Sequence, residues 1–253
     1  MTRIAAHRGG AALWHENSLL AFRSAIVLGS DLLEMDVHLT RDGAVAVIHD
    51  ATLERTTNGT GPVASLTEAE LGRLRLRGRD GTLTDEPVPM FDDVLALALA
   101  APRPVGLLVE VKEAADGARY DGIEERVLAA LGRTGLQAQA TVMGFNRDVI
   151  VRVRELAPRT RTSLLIERAA VERAGARSEQ TVEWATTARA TDLGLEYTLA
   201  DERVVVAARA AGIALGVWTV NEVATIRAML ALGVDIVTSD RPDLAQRIQR
   251  GEA

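Results

Sequence analysis

At 253 residues, with 47% apolar and 25% charged residues, the chain has the composition of a folded globular protein and the length of one α/β barrel. A formal charge of −6 argues against a nucleic-acid or anionic-membrane partner, and the absence of cysteine rules out disulfides, thiolate nucleophiles and thiolate-bound metals. The opening "MTRIAAHRGG" has no apolar h-region and no run reaches the roughly 20 apolar residues of a membrane span, so a cytoplasmic protein without stable membrane insertion is expected.

Short apolar runs alternate along the chain with longer amphipathic ones. Strands are expected at 2–6, 31–38, 105–112, 139–144, 160–166, 192–197, 213–219 and 234–238. Helices are expected at 17–28, 91–100, 121–133, 147–157, 180–190, 201–211, 221–232 and 242–249, the fifth on the weakest pattern because 168–190 is polar. Asn17 or Ser18 can cap the first helix and Gly29 ends it; Asn221 can cap the seventh, and Pro242 suits the first turn of the last. Eight strand–helix units predict a (β/α)₈ barrel in a single domain. An open doubly wound sheet is the alternative, but "HRGGAA" is not the glycine fingerprint of its dinucleotide-binding form.

One stretch interrupts the rhythm. Asp42-Gly43 in "TRDGAVAVIHD" predicts a hairpin turn, and "SLTEAEL" a short helix with a capping box at Ser65 and Glu68. Pro87 and Pro89 exclude a helix interior there. Residues 51–90 are too long for a plain βα loop and read as an insertion at the barrel mouth.

Alternate residues of a strand share a face. "LLEMDVHL" therefore sets Glu34, Asp36 and His38 on one side, and "VEVK" does the same for Glu110 and Lys112, the one lysine of the chain. At the C-terminal ends of barrel strands these charges need partners, since an unpaired buried charge costs several kcal/mol. Singly, Glu34 or Glu110 reads as part of a structural ion network with Lys112 or Arg8. Three converging carboxylates point instead to a hard divalent cation, Mg²⁺ or Ca²⁺. His7 after the first strand and His49 after "AVAVI" form a candidate acid–base pair, although a lone histidine beside a strand is more often structural. His15 reads as a surface or capping residue, and His38 as a supporting residue one step further out. Phe145 and Trp218 also close strands, and in so aromatic-poor a chain they could wall a pocket; for Phe145, core packing is an equal alternative.

Taken together, "HRGGAALWHENSLLAF", "LLEMDVHLTRDGAVAVIHD", "LLVEVK", "VMGFN" and "GVWTVNEVATIRAMLALGVDIVTSDRPDL" resemble the glycerophosphodiester phosphodiesterase family over nearly the full length, with little signal at 160–200. The resemblance implies a (β/α)₈ barrel with a small insertion after strand two. It also implies hydrolysis of glycerophosphodiesters to sn-glycerol 3-phosphate and an alcohol, with one Ca²⁺ or Mg²⁺. By position it makes Glu34, Asp36 and Glu110 metal ligands, His7 and His49 the general acid and base, and Arg8 and Lys112 phosphate contacts. Glu16 would lie near metal and substrate, and Trp218 would line the pocket. Two positions depart from the family pattern: His15 stands for a usual proline and Gly144 for a common serine, both matters of pocket shape.

The implied partner is a small-molecule phosphodiester; a homo-oligomer is left open. Three rival readings stand beside this one: a Schiff-base Lys112, a catalytically decayed barrel that only binds, and lysophospholipid head-group hydrolysis on the same barrel.

Overall fold

The computed structural model describes residues 1–252, and each of the eight expected strands is present within two residues of its expected ends. They are β1 (Arg3–Ala6), β2 (Leu32–Leu39), β4 (Gly106–Val111), β5 (Ala140–Gly144), β6 (Arg161–Ile166), β7 (Asp192–Glu196), β8 (Ala214–Trp218) and β9 (Ile236–Ser239). Each pairs in parallel with the next, and β9 returns to pair with β1, closing the barrel. The additional strand β3 (Val45–Val47) hangs antiparallel on β2, across the turn expected at Asp42-Gly43. All eight residues of β2 are buried, as required of a strand covered on both faces.

Ten α-helices occur among the described residues: α1 (Leu19–Leu28), α2 (Glu68–Leu71), α3 (Phe91–Leu99), α4 (Ile123–Thr134), α5 (Arg147–Leu156), α6 (Arg168–Arg173), α7 (Thr181–Thr187), α8 (Glu202–Ala211), α9 (Val223–Leu232) and α10 (Pro242–Gln249). Ser18 caps α1 by accepting from Ala21 N at 3.0 Å, and Gly29 ends the helix at φ 92°. Asn17 is not the cap; it turns inward instead.

Three local expectations are corrected. The polar stretch 168–190 holds two short helices, α6 and α7, separated by Gly175 at φ 58°, because a half-buried helix of one or two turns leaves too little apolar period to read. The capping box lies at Thr67 and Glu70, two residues beyond Ser65 and Glu68. Asn221 does not cap α9: Glu222 holds that position without a side-chain bond, while Asn221 is committed to Asp240.

Apolar residues fill the barrel interior (Ala5, Leu32, Leu108, Met143, Leu165, Ile236) and pack the space between strands and helices. A separate cluster of Ala46, Ile48, Leu53, Val63, Leu71, Leu76 and Val88 holds the segment after β3 together. That segment leans on the first turn of α1, where Glu86 accepts from Leu20 N at 3.1 Å, and on the loop before it, where Arg79 bonds the Ala12 carbonyl.

Candidate active site

The strand alternation turns Glu34 and Asp36 inward, and the β2–β4 register sets Asp36 directly opposite Glu110. All three side chains are buried, and a carboxylate oxygen from each lies within 4.8 Å of the others. Lys112 and Arg8 flank them. Lys112 Nζ bonds Glu110 and stands 3.0 Å from Asp36 Oδ1, while Arg8 Nε lies 3.2 Å from Asp36 Oδ2. Asn17 Nδ2 donates to Asp36 Oδ2 at 2.8 Å, and the Arg8 backbone N–H donates to Glu34 Oε2 at 2.8 Å.

That last bond explains the glycines after Arg8. The chain must turn sharply at the end of β1, with Arg8 at φ 49°, Gly9 at 81° and Gly10 at 103°. A side chain at Gly9 would also bring its Cβ to 2.7 Å from that of Ala21. The turn therefore needs glycine for both conformation and close approach to α1.

The charges do not balance within the cluster. Burial, followed by the nearby Asp36 and Glu110, pushes the Glu34 carboxyl up to about 7. Burial also raises Glu110, against the pull of Lys112. Asp36 goes the other way: burial opposes its ionisation, but Lys112 and Arg8 hold it well below the usual carboxylate range. Asp36 Oδ1 is buried and receives no hydrogen bond of good geometry. An all-oxygen donor set with surplus buried negative charge and a free lone pair fits a hard divalent cation. The ion pairs of the structural reading are present too, yet they leave this surplus uncompensated.

Each candidate imidazole is oriented by a carboxylate. His7 Nδ1 lies 2.6 Å from Asp240 Oδ1, and Asp240 is held in turn by Asn221 Nδ2 at 2.7 Å, with Asn221 Oδ1 accepting from the Asp240 backbone N–H at 2.9 Å. His7 Nε2 faces Glu34 at 3.9 Å. Burial lowers the His7 pKa, but Glu34 and Asp240 outweigh it and the net shift is upward. His49 Nδ1 lies 2.7 Å from Asp50 Oδ1; burial first, and then Lys112 and Arg8, lower its pKa. Its carbonyl accepts from His38 Nε2 at 3.0 Å, and His38 Nδ1 meets the Tyr120 hydroxyl at 2.9 Å. His38 thus supports His49 from behind, as its place on β2 suggested. His15 is less exposed than a surface residue: it sits 3.5 Å from Glu86, and its carbonyl accepts from Ser18 Oγ.

A cavity of about 150 Å³ opens among these groups, lined by His7, His49 and Lys112 and by the apolar Met143, Phe145 and Trp218. Phe145 and Trp218 meet edge to face at 5.5 Å between centroids, and Phe145 keeps 45% of its surface exposed, so it borders the opening rather than packing the core. Glu16 stands behind Arg8, accepting from its Nη1 at 3.0 Å. The chain thus brings together His7, Arg8, Glu16, Glu34, Asp36, His49, Glu110, Lys112, Phe145 and Trp218, with His38 behind His49 and His15 apart from them.

Sequence reasoning missed Asp240, Asn17, Tyr120 and the true role of Asn221. Asp240 carried a readable signal, being an acid directly after the last barrel strand; the others had none that distinguished them from caps and surface residues.

A closed barrel whose mouth sets two carboxylate-backed imidazoles beside three buried acids and two cations has the groups for acid–base chemistry on a charged substrate. Residues 7–244 match the model of the glycerophosphoryl diester phosphodiesterase family. The chain is 30% identical over 257 residues to a glycerophosphodiester phosphodiesterase of Caldanaerobacter subterraneus, covering 99% of both chains. Its fold superposes on the glycerophosphodiester phosphodiesterase of Agrobacterium tumefaciens with a TM-score of 0.80 at 27% identity, covering 97% of this chain and 99% of the other. It also superposes, with a TM-score of 0.80 at 24% identity, on an Oleispira antarctica phosphodiesterase solved with its product sn-glycerol-3-phosphate, covering 99% and 97%. The last likeness speaks for the fold alone.

The chain belongs to the glycerophosphoryl diester phosphodiesterase family and is a phosphodiester hydrolase. Among the described residues, no helix is long and apolar enough to cross a membrane.

Proposed function

We propose that the protein hydrolyses small glycerophosphodiesters to sn-glycerol 3-phosphate and an alcohol, with one divalent cation, Ca²⁺ or Mg²⁺, held by Glu34, Asp36 and Glu110. The observation that carries this reading is the convergence of those three carboxylates beside two imidazoles, each tethered through Nδ1 by its own carboxylate. When bound, the cation withdraws charge from the phosphate's non-bridging oxygens. Arg8 and Lys112 bind the same anionic group, and such fixed positive charge is usually the largest contribution to stabilising a phosphoryl transition state.

With Nδ1 committed to a carboxylate, each imidazole has only Nε2 for the reaction. One of His7 and His49 takes a proton from the nucleophile, which is water or the substrate's neighbouring hydroxyl. The other returns a proton to the departing oxygen. Each transfer contributes about 10²–10⁴-fold. The Phe145–Trp218 wall packs the carbon skeleton of the substrate and limits water on that side. In this reading the chain is one catalytic unit, and segment 51–90 serves the mouth on the side of His49.

The test is release of glycerol 3-phosphate from a panel of diesters, with chelator and then Ca²⁺ or Mg²⁺ restored. Loss on chelation and recovery with one ion is expected. Turnover indifferent to chelation would remove the metal, and no turnover of any diester with either ion would remove the reaction.

A further inference from the structure

Arg55 lies in the segment after β3, outside the cavity, yet its guanidinium joins two arms of the site. One edge faces Asp50: Nε donates to Oδ2 at 2.6 Å and Nη2 to Oδ1 at 3.0 Å. The other faces Glu16: Nη1 donates to Oε2 at 2.9 Å and Nη2 to Oε1 at 2.8 Å. Asp50 Oδ1, held by Arg55 Nη2, is also the oxygen that meets His49 Nδ1, and Glu16 Oε1, which receives Arg8 Nη1, is also bonded to Arg55 Nη2. Neither carboxylate can rotate without breaking a paired bond to Arg55.

We propose that Arg55 is a positioning residue for the hydrolysis, acting through Asp50 to hold the His49 ring and through Glu16 to hold the Arg8 guanidinium at the same time. The inserted segment thereby contributes to catalysis from a residue that touches no reacting atom. Asp50 can accept but not donate while it is ionised, so neutral His49 must carry its proton on Nδ1, which leaves Nε2 as the nitrogen that exchanges the reaction's proton. The Arg55 bonds, opposed by burial and joined by the His49 contact, keep Asp50 in that ionised state, with its pKa down at about 2. Only a planar fork with two usable edges can serve both carboxylates; a lysine ammonium can approach one well or both poorly.

This inference rests on the proposed reaction, so its test pairs kinetics with a readout that needs no substrate. Arg55→Lys and Arg55→Ala are compared with the wild type for kcat and KM, for melting temperature, and for the ¹⁵N resonances of the His49 ring, assigned with His49→Asn. Arg55→Ala is also assayed with added guanidinium, which can enter because the Arg55 side chain is 48% exposed.

Both variants are expected to stay folded, to lose about 10–100-fold in kcat, the usual effect of removing a group that orients a catalytic side chain, and to shift the His49 ring from a single Nδ1–H tautomer to a mixture. Guanidinium restores part of the kcat of Arg55→Ala. Wild-type kinetics in Arg55→Lys, or a fall in kcat with His49 resonances unchanged, would reduce Arg55 to a tether of the inserted segment and overturn the proposal. If the wild type itself turns over no diester, the reaction reading fails, and the ring resonances still decide the role of Arg55.

Discussion

Lys112 sits between two acids, bonded to Glu110 and 3.0 Å from Asp36 Oδ1, in a chain that otherwise uses arginine for its basic residues. An ammonium is a compact point charge that can stand between carboxylates and still face a phosphate oxygen, whereas a guanidinium fork needs a planar edge free for each partner. Burial disfavours its charge, but Asp36 and Glu110 more than compensate, so its pKa is raised and Lys112 stays charged. Lys112→Arg is expected to keep the fold and lose most of its activity, on the order of 10²-fold in kcat, the scale of removing one fixed electrostatic contact. Circular dichroism and steady-state kinetics check it, and a nearly unchanged rate would deny Lys112 its role.

Among the elements, the decisive piece is the turn between β1 and α1. It carries His7, Arg8 and Glu16, and its geometry depends on Gly9, whose φ of 81° and contact with Ala21 leave no room for a side chain. Gly9→Ala is therefore expected to destabilise the protein by about 1–3 kcal/mol, the cost of a strained left-handed residue plus a local clash. It should lower activity as well, because the turn presents the Arg8 backbone N–H to Glu34. Urea unfolding and kinetics measure the two effects; stability and rate both at wild-type levels would show that the turn tolerates a shift.

Across the barrel as a whole, the buried titratable groups pull stability in opposite directions with pH. Burial, the main cause, lowers the His38 pKa to about 4, so between pH 6.5 and 4 the unfolded chain binds a proton that the folded chain refuses. That contribution is fully present above pH 6.5 and falls away on acidification, by up to about 3 kcal/mol. Glu34, raised to about 7, has the opposite sign: its contribution is present below its unfolded pKa and is lost as pH rises towards 7. Chemical unfolding of metal-free protein across pH 4–7 should show His38→Gln losing the acid-side decline relative to wild type, and Glu34→Gln losing the neutral-side decline. Parallel curves for all three would mean that neither group is shifted. On the proposed metal site, a saturating divalent cation would bind the native cluster alone and should raise the melting temperature of wild type but not of Glu34→Gln; equal effects on both would move the metal elsewhere.

Alternation along a strand and periodicity along a helix are local properties of the backbone, so the elements and the side chains that face the barrel axis are legible in the order of residues alone. Alternation puts Glu34, Asp36, Glu110 and Lys112 on the inner face, and the ends of the apolar runs put His7 and His49 at the mouth. How those groups are held is not local. Asp240 reaches His7 because β9 closes on β1, joining residues 233 apart in the chain. Asn17 and Asn221 have the sequence context of helix caps, and the folded barrel supplies carboxylates for them to bind instead. Arg55 gives no local sign, since an arginine in a polar loop acquires its partners only when the inserted segment folds against the β1–α1 turn. Periodicity encodes a direction; the partner in that direction comes from long-range packing.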